Sequence, residues 1–218
     1  LLYLLLFTVN SFSYGGGHWA QTEMEYLVSK EIISGYPDGS LKPDNPITRA
    51  EFIRIVNRVI GSYGTANLSF HDVKETDWFY EDVAKAIKAG YVEGYGDNTF
   101  KPNNPISREE VAKIIITAFG LEGEEPRQIN SFTDDREISN WAREYVTTLR
   151  NKGYITGYPD GSFKPKNPIT RAEAMKIIAT VGGEIFDAPG IYSKNLDKNA
   201  LVRTSDVVLK DMHIKGDL

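Results

Sequence analysis

The sequence predicts a mainly α-helical protein built from three tandem helix-loop-helix repeats, followed by the start of a β-rich segment. Three observations support this prediction. The segment that begins at Gly35, GYPDGSLKPDNPITRAE, recurs in altered form at Gly94 and at Gly157. A tryptophan stands thirty positions before the arginine of each copy. After about Gly182 the helical spacing of apolar residues gives way to alternation. Repeats of this length usually bury their apolar faces against one another.

The composition is that of a globular protein, and it limits the classes of partner. Among the 218 residues 41% are hydrophobic, which is enough for a core. A net charge of -5 argues against sequence-independent binding of DNA or RNA, because such binding needs a basic face. There is no cysteine, so disulfides and thiolate metal sites are excluded. We expect no nucleic acid as a partner, and an anionic partner would have to be bound in local pockets.

The first residues predict export. Residues 1–9, LLYLLLFTV, are too short to span a bilayer but have the length of a signal-peptide core. Serines follow within four residues, so residues 1–13 are predicted to be the remnant of a signal peptide whose first part is missing. The alternative is a strand or helix of the first repeat, in which Phe12 is the counterpart of Phe70 and Phe132.

Each repeat is predicted to open with a helix that starts at its tryptophan. In the second repeat, apolar residues from Val83 to Tyr91 recur at steps of three and four, which marks one buried stripe. Asp77 and Asn140 directly precede two of the tryptophans and are expected to cap their helices. Gly90 fits the C-terminal end of its helix.

A turn and a proline-containing loop lead to the second helix. Tyr-Pro-Asp-Gly at residues 36–39 is typical of a turn in which Gly adopts positive φ, and Asn98 takes the place of that Gly in the second repeat. Thr48 is predicted to be the N-cap of a helix from about Arg49 to Ile60. Glu51, three residues later, completes a capping box.

No catalytic set of residues stands out, so we expect no enzyme within this chain. The three histidines lack the spacing of a metal site, and neither a phosphate-binding glycine loop nor a nucleophile elbow is present. The turns lack the regular acids of a calcium loop. Asp72 and the pair Asp134 and Asp135 are expected to cap or start helices. Because the unusual residues occur three times, we expect multivalent binding that uses no metal or cofactor.

The arginine at the start of each second helix is the main candidate for ligand binding. A cation there opposes the helix macrodipole, at a cost of about 0.3 to 1 kcal/mol. Free N–H groups at the helix N-terminus, turn amides and the guanidinium together suit a carboxylate, while a tryptophan offers a flat face to a sugar ring. The alternative is structural, with Arg49 paired to Asp38 or Glu51. The equivalent arginines are Arg108 and Arg171.

These motifs resemble three tandem S-layer homology domains, the cell-wall anchoring modules of bacterial surface proteins. The resemblance rests on the tryptophan-led helix, the Gly-Tyr-Pro-Asp-Gly loop and the motif Ile-Thr-Arg-Ala-Glu at 47–51 and 169–173, with Ile-Ser-Arg-Glu-Glu at 106–110. It covers roughly residues 12–184. It implies a pseudo-threefold spindle whose grooves bind secondary cell-wall polysaccharide through ketal-pyruvate groups on the sugars.

The resemblance also implies which residues bind. The arginines would meet the pyruvate carboxylate, and loop residues and tryptophans would line the grooves. The set is Arg49, Arg108, Arg171, Asp38, Gly39, Ser40, Asp97, Thr99, Asp160, Gly161, Ser162, Trp19, Trp78 and Trp141. Glu109 adds a negative charge where the other repeats have alanine, so the site at Arg108 is expected to be the weakest.

The predicted organisation follows the repeats. They span residues 14–62, 66–121 and 128–184, and residues 185–218 form a linker and the start of a β-rich domain. The stretch from about Val202 to Leu218 is similar to segments that follow such anchors in envelope proteins, and parallel β-helix rungs are one form that it is expected to take. It ends in mid-pattern, so the C-terminus is also predicted to be incomplete.

Alternation near the end of the chain predicts short strands. Val208, Met212, Ile214 and Leu218 share one parity and are expected to face the same side. Breaks are expected at Lys210-Asp211 and at Gly216-Asp217.

The sequence as a whole predicts an exported, non-catalytic anchor at the bacterial cell wall or cell surface. Its expected partner is an anionic secondary cell-wall polysaccharide, and self-assembly into a surface layer is a further expectation. The alternative is the anchor region of an exported glycan- or peptide-hydrolase whose catalytic domain lies beyond Leu218.

Overall fold

The computed structural model describes residues 17–121 and 131–217. The predicted signal-peptide remnant and the first residues of the first and third predicted repeats lie outside them. The described part is mainly helical, with six α-helices, two short 3-10 turns and four short strands. The helices are α1 Gln21–Ser29, α2 Arg49–Ile60, α3 Tyr80–Ala89, α4 Arg108–Ala118, α5 Arg143–Asn151 and α6 Arg171–Gly182.

The second helix of each repeat begins as the sequence predicts. The Thr48 hydroxyl accepts a hydrogen bond from the Glu51 N–H, and the Glu51 carboxylate accepts one from the Thr48 N–H at 2.9 Å. The same capping box starts α4 at Ser107 and α6 at Thr170. An arginine is therefore the first helical residue in all three repeats.

The first helices begin later than predicted, and the tryptophans lie in the turns that precede them. Helix α3 starts two residues after Trp78 and has no side-chain cap. The Asp77 carboxylate instead accepts a hydrogen bond from the Lys74 N–H at 2.8 Å, which closes the preceding turn. Asn140 lies in a 3-10 turn and does not cap α5 either. Gly90 ends α3 at a φ of 79°, as predicted.

Each second helix packs on the first helix of the following repeat. Helix α2 packs on α3, α4 packs on α5, and α6 returns to α1. Backbone hydrogen bonds close the same cycle. The N–H of Ile106 donates to the Ile47 carbonyl, that of Ile169 to Ile106, and that of Ile47 to Ile169, at 3.0 to 3.1 Å. The three repeats thereby share one hydrophobic core, so each repeat depends on the other two.

The side chains of Asp72 and Asp134 brace loops and cap no described helix, which corrects part of the expectation from the sequence, whereas Asp135 starts a 3-10 turn as expected. The Asp72 carboxylate accepts from the N–H groups of Phe100 and Lys101, each at 2.8 Å. Asp134 makes the equivalent two bonds in the third repeat. Lys101 has a left-handed backbone with a φ of 55°, a conformation that directs successive N–H groups toward one anion. At the turn itself, Asn98 adopts a φ of 60°, as predicted.

Four short strands follow α6 directly. They are β1 Glu184–Phe186, β2 Gly190–Tyr192, β3 Ala200–Val202 and β4 Val207–Leu209. Strand β1 pairs in parallel with β3, and β2 pairs in parallel with β4, so that partners lie 16 and 17 residues apart in the chain. Strand β1 lies where the linker was predicted to begin. Its residue Ile185 is buried in the core that the repeats share.

The parity predicted for the last strand is wrong at Val208. Val208 is 50% exposed, whereas its two neighbours in β4 pack in a small second core with Met212 and Ile214. Asp211 lies between them with a φ of 52°, and this turn shifts the alternation by one position. Leu218 lies outside the described residues.

Candidate functional site

The arginines at the helix starts are buried. Arg49, Arg108 and Arg171 are only 5 to 7% exposed. Each guanidinium lies against the loop tyrosine of another repeat. Arg171, for example, lies 4.9 Å from the centre of the Tyr36 ring, and Arg49 lies 5.2 Å from that of Tyr95. Such a contact is favourable for a cation removed from water.

Each arginine also pairs with the capping-box glutamate of another repeat. Arg49 therefore contacts neither of the partners considered from the sequence, Asp38 and Glu51, because its side chain crosses to the following repeat. The pairs form a closed cycle that ties the repeats together. They are Arg49–Glu110, Arg108–Glu173 and Arg171–Glu51, with N···O distances of 3.5, 3.2 and 3.6 Å.

The backbone N–H groups at the helix starts are already occupied, which overturns the expectation that they help to bind an anion. The N–H of Arg49 donates to the Asn104 carbonyl and that of Ala50 to the Pro102 carbonyl, each at 2.9 Å. Loop carbonyls of a neighbouring repeat occupy the same positions in α4 and α6. The proline-containing loop of a neighbouring repeat runs directly across each helix start, so these N–H groups are not free to donate to a ligand.

The tips of the loops are closed turns. The Asp38 carboxylate accepts from the N–H and the hydroxyl of Ser40 at 2.9 and 2.6 Å, and the Gly39 N–H donates to the Tyr36 carbonyl. These bonds from Ser40 lower the pKa of Asp38 to about 2. The tips of the other two repeats have the same bonds, and none of the eight predicted tip residues lines either cavity described next.

One cavity of about 210 Å³, here called the Tyr36 groove, opens beside Arg171. All three repeats contribute to it, because Tyr36 comes from the first, Trp78 from the second and Arg171 from the third. Trp78 is half-exposed, and the Arg54 guanidinium lies 4.2 Å from its ring centre. Three cations and one carboxylate line the groove. Its chemically important residues are Tyr36, Glu51, Arg54, Arg58, Trp78 and Arg171.

A second cavity of about 320 Å³, the Tyr95 groove, is built from equivalent positions. Lys113 takes the place of Arg54, and its ammonium pairs with Glu93. Arg49 donates through Nη2 to the Glu93 carbonyl at 3.0 Å, while its buried Nε has no partner in the described part of the chain. Two cations and two carboxylates line this groove, which are Arg49, Lys113, Glu93 and Glu110.

The third equivalent position is organised around Tyr158. Arg108 donates through Nε to the Phe163 carbonyl at 2.7 Å, and the Tyr158 hydroxyl donates to Glu173 at 2.6 Å. Lys176, the counterpart of Arg54, pairs with Glu23 of α1. Trp19, also predicted as a ligand residue, is exposed at the start of the first repeat.

Glu109 does not act as the free negative charge expected from the sequence. It is buried, and its carboxylate accepts from the N–H of Ser139 at 3.0 Å and from the Lys166 ammonium at 2.6 Å. Since Lys166 compensates its charge, the basis for ranking the site at Arg108 as the weakest is removed.

At neutral pH the tyrosines of the grooves are protonated and the glutamates are ionised. Burial raises the pKa of both Tyr95 and Tyr158 to about 12. Burial would also raise the pKa of Glu51 and Glu110. Hydrogen bonds from the cap residue and the tyrosine, together with the nearby arginine charge, outweigh burial and hold the pKa of both carboxyls below the usual range. Each groove thus keeps a neutral hydroxyl beside an ionised carboxylate.

Tyr36, Tyr95 and Tyr158 were missed as groove residues. Their signal is present in the sequence, since a Gly-Tyr pair opens the loop of every repeat. The cation five residues after each arginine, Arg54 in the first repeat, recurs in the same way.

Comparison with known proteins gives a family match. The model of the S-layer homology domain matches residues 15–53, 69–112 and 131–175. The chain is 38% identical over 165 residues to an amylopullulanase of Thermoanaerobacterium thermosulfurigenes, covering 74% of this chain and 9% of that protein. It is 35% identical over 153 residues to a cellulosome-anchoring protein of Acetivibrio thermocellus, covering 67% and 34%. It is 33% identical over 167 residues to S-layer protein EA1 of Bacillus anthracis, covering 75% and 19%.

The chain therefore spans about a third or less of each of these relatives. Other relatives carry the names of cell-surface and surface-layer proteins, in agreement with the location predicted from the sequence. Among the helices in the two described ranges, none is long and apolar enough to cross a membrane.

Proposed function

Because the chain belongs to the S-layer homology domain family, whose domains anchor proteins to the cell surface, we propose that its repeats hold a larger protein on the bacterial cell wall. The proposed ligand is an anionic secondary cell-wall polysaccharide, bound without covalent linkage. The group recognised is a carboxylate carried by a sugar, such as that of a ketal-pyruvate.

The observation that carries this proposal is the composition of the Tyr36 groove. Arg54 is paired with Asp82 and Arg171 with Glu51, so the surplus positive charge of the groove lies on Arg58, and it stands beside the half-exposed face of Trp78. A carboxylate would receive charge-assisted hydrogen bonds from Arg171 and Arg54, while the sugar ring lies on the indole. The chemistry of one acidic sugar is thus matched by side chains from three repeats.

Arg171 is held in position before any ligand binds. Its Nε donates to the Leu41 carbonyl at 3.0 Å, and Nη1 lies 3.6 Å from Glu51. A guanidinium has five N–H donors, so further donors remain for a carboxylate. Because its side chain is already ordered, binding costs less conformational entropy.

We further propose that the repeats, with boundaries at 14–62, 66–121 and 128–184, form a pseudo-threefold spindle. The cyclic isoleucine hydrogen bonds and the cyclic arginine–glutamate pairs support this arrangement. The strands after α6 are proposed to begin a parallel β-helix. Parallel pairing of residues 16 to 18 positions apart supports it.

The test is binding to isolated cell walls before and after chemical removal of the attached polysaccharide. We expect retention on intact walls and release from stripped walls. Arg171→Lys keeps the charge but loses the fork-shaped donors, so it should bind intact walls poorly. Arg136→Lys is the matched control, since Arg136 is exposed and lines neither groove. Equal retention on bare peptidoglycan would refute recognition of the polysaccharide.

A second candidate is that the anchored protein is an exported hydrolase rather than a surface-layer subunit that self-assembles. The match to an amylopullulanase favours it, whereas the match to S-layer protein EA1 favours the subunit. Sequencing the gene around this segment tests the choice: an encoded catalytic domain would support the hydrolase, and an encoded structural array would support the subunit.

A further inference from the structure

A basic cleft adjoins the Tyr36 groove and extends it toward the strands. It has two parts, of about 490 and 620 Å³, between the end of α2 and the segment after α6. Arg203 and Arg58 line both parts, and Arg58 also lines the Tyr36 groove. The three spaces are therefore contiguous around Arg58. We call the two parts together the Arg203 cleft.

Two guanidinium groups of this cleft lack a counter-charge. The other cations that line it are each paired: Arg54 with Asp82, Lys30 with Asp187 and Lys85 with Glu81. Within residues 17–121 and 131–217, neither Arg58 nor Arg203 forms an ion pair, although the Glu31 carboxylate also lines the cleft. Arg58 donates through Nη1 to the Ile32 carbonyl at 3.2 Å, which leaves its charge uncompensated.

Two buried polar atoms at the first part of the cleft also lack partners in the described chain. They are Nη1 of Arg203 and Oγ of Ser62. A buried donor without an acceptor is unfavourable, and the penalty is larger for a charged group. An oxyanion in this space would compensate the charge of Arg58 and offer an acceptor at the wall to which Arg203 and Ser62 contribute.

We propose that the Arg203 cleft binds the anionic group, a carboxylate or a phosphate, of a second sugar on the polymer whose first acidic sugar occupies the Tyr36 groove. This inference rests on the proposed function. Arg203 lies beyond the last residues matched by the family model, which end at 175. The repeats alone do not complete the site, and the strands that follow them supply one of its two free cations.

The cleft can be tested directly with inorganic phosphate, without any polysaccharide. In an NMR titration of the 218-residue chain, we expect saturable shifts of the Ser62 amide and the Arg203 guanidinium. Arg203→Gln should weaken phosphate binding about tenfold, as expected for loss of a charged hydrogen bond, and Ser62→Ala should weaken it less. Arg136→Gln is the matched control. Repeating the titration with acetate separates the two sources of charge. Absence of saturable shifts with both anions would overturn the inference.

A second experiment uses polysaccharide fragments with one or two acidic groups. Arg203→Gln should weaken the two-acid fragment about tenfold and the one-acid fragment by about twofold or less, whereas Arg171→Lys should weaken both. Thermal melts check that each variant is folded. If wild type and Arg203→Gln bind the two-acid fragment equally, the cleft is not a subsite. The proposed binding of an acidic sugar in the Tyr36 groove is then unaffected. If wild type does not bind the one-acid fragment, the proposed function fails, and the phosphate titration still decides the cleft.

Discussion

The Tyr36 groove and the Tyr95 groove are built on the same frame and differ at their rims. Both contain a buried arginine, a tyrosine hydroxyl bound to a capping glutamate, and a half-exposed tryptophan. At the rim, Ser34 of the first groove corresponds to Glu93 of the second. Glu93 neutralises Lys113, and this contact lowers the pKa of the Glu93 carboxyl. The frame serves packing between repeats, while two differences, Glu93 in the second groove and Arg58 in the first, give only the first groove a surplus of positive charge.

Removing the buried arginine should lower the stability of the fold by the same amount in both grooves, and this is the largest effect we expect. Arg171→Ala leaves Glu51 without its partner, and Arg49→Ala does the same to Glu110. Each change should lower the free energy of unfolding by about 3 kcal/mol, as is usual when one partner of a buried pair is removed. Thermal or denaturant unfolding measures it. A loss below about 1 kcal/mol in both variants would mean that these pairs do not support the fold.

Removing the tryptophan of each groove should weaken wall binding by different amounts, with little change in stability. Trp78→Ala is expected to weaken binding to walls by about 1 kcal/mol, because it removes the flat face offered to the sugar. Trp141→Ala should weaken it less, since its groove has no surplus of positive charge. Binding isotherms measure the difference, and Tyr63→Ala, at a side chain that is 90% exposed, is the control. A larger effect of Trp141→Ala would reverse the assigned order of the grooves.

Exchanging the rim residues should remove the difference in net charge between the two grooves. Ser34→Glu places a carboxylate in the Tyr36 groove, and at ~6 Å from a bound carboxylate it should cost about 0.7 kcal/mol in water-like surroundings. Glu93→Ser releases Lys113 and should strengthen binding in the Tyr95 groove by a similar amount. The affinities of both variants are measured by titration with a sugar fragment that carries one acidic group, at low salt, where screening is weak. Unchanged affinities in both variants would show that rim charge does not set the order.

The smallest effect we expect is a dependence of stability on pH that the two grooves share. The pKa of Glu51 and of Glu110 is lowered in the folded chain. Their contribution is therefore complete above the unfolded value, about 4.3, and is lost as pH falls through the folded value. Glu51→Gln and Glu110→Gln should each flatten the acid side of a plot of melting temperature against pH. A curve steeper than that of wild type would contradict the assigned direction.

Much of the local structure could be predicted because it depends on residues close in the chain. The capping box of Thr48 and Glu51, the arginine at the first helical position and the left-handed Asn98 all arise within four residues. Recurrence of one motif, with a tryptophan thirty positions before each arginine, indicated three equivalent units. The break predicted at Lys210-Asp211 is present as a turn, but the parity assigned to Val208 across it was wrong, because a period of two does not continue through a turn.

The sequence by itself determined the three repeats, the starts of the second helices and the residue types that we propose bind an acidic sugar. Only the tertiary structure decided which groups meet. Arg49 pairs with Glu110 of another repeat, loop carbonyls occupy the helix N–H groups, and Arg58 and Arg203 come together across the chain. Helix caps and turns are determined by interactions among a few residues that are close in the sequence. The partner of a buried charge depends instead on how the repeats close on one another, and that geometry is set by the shared core.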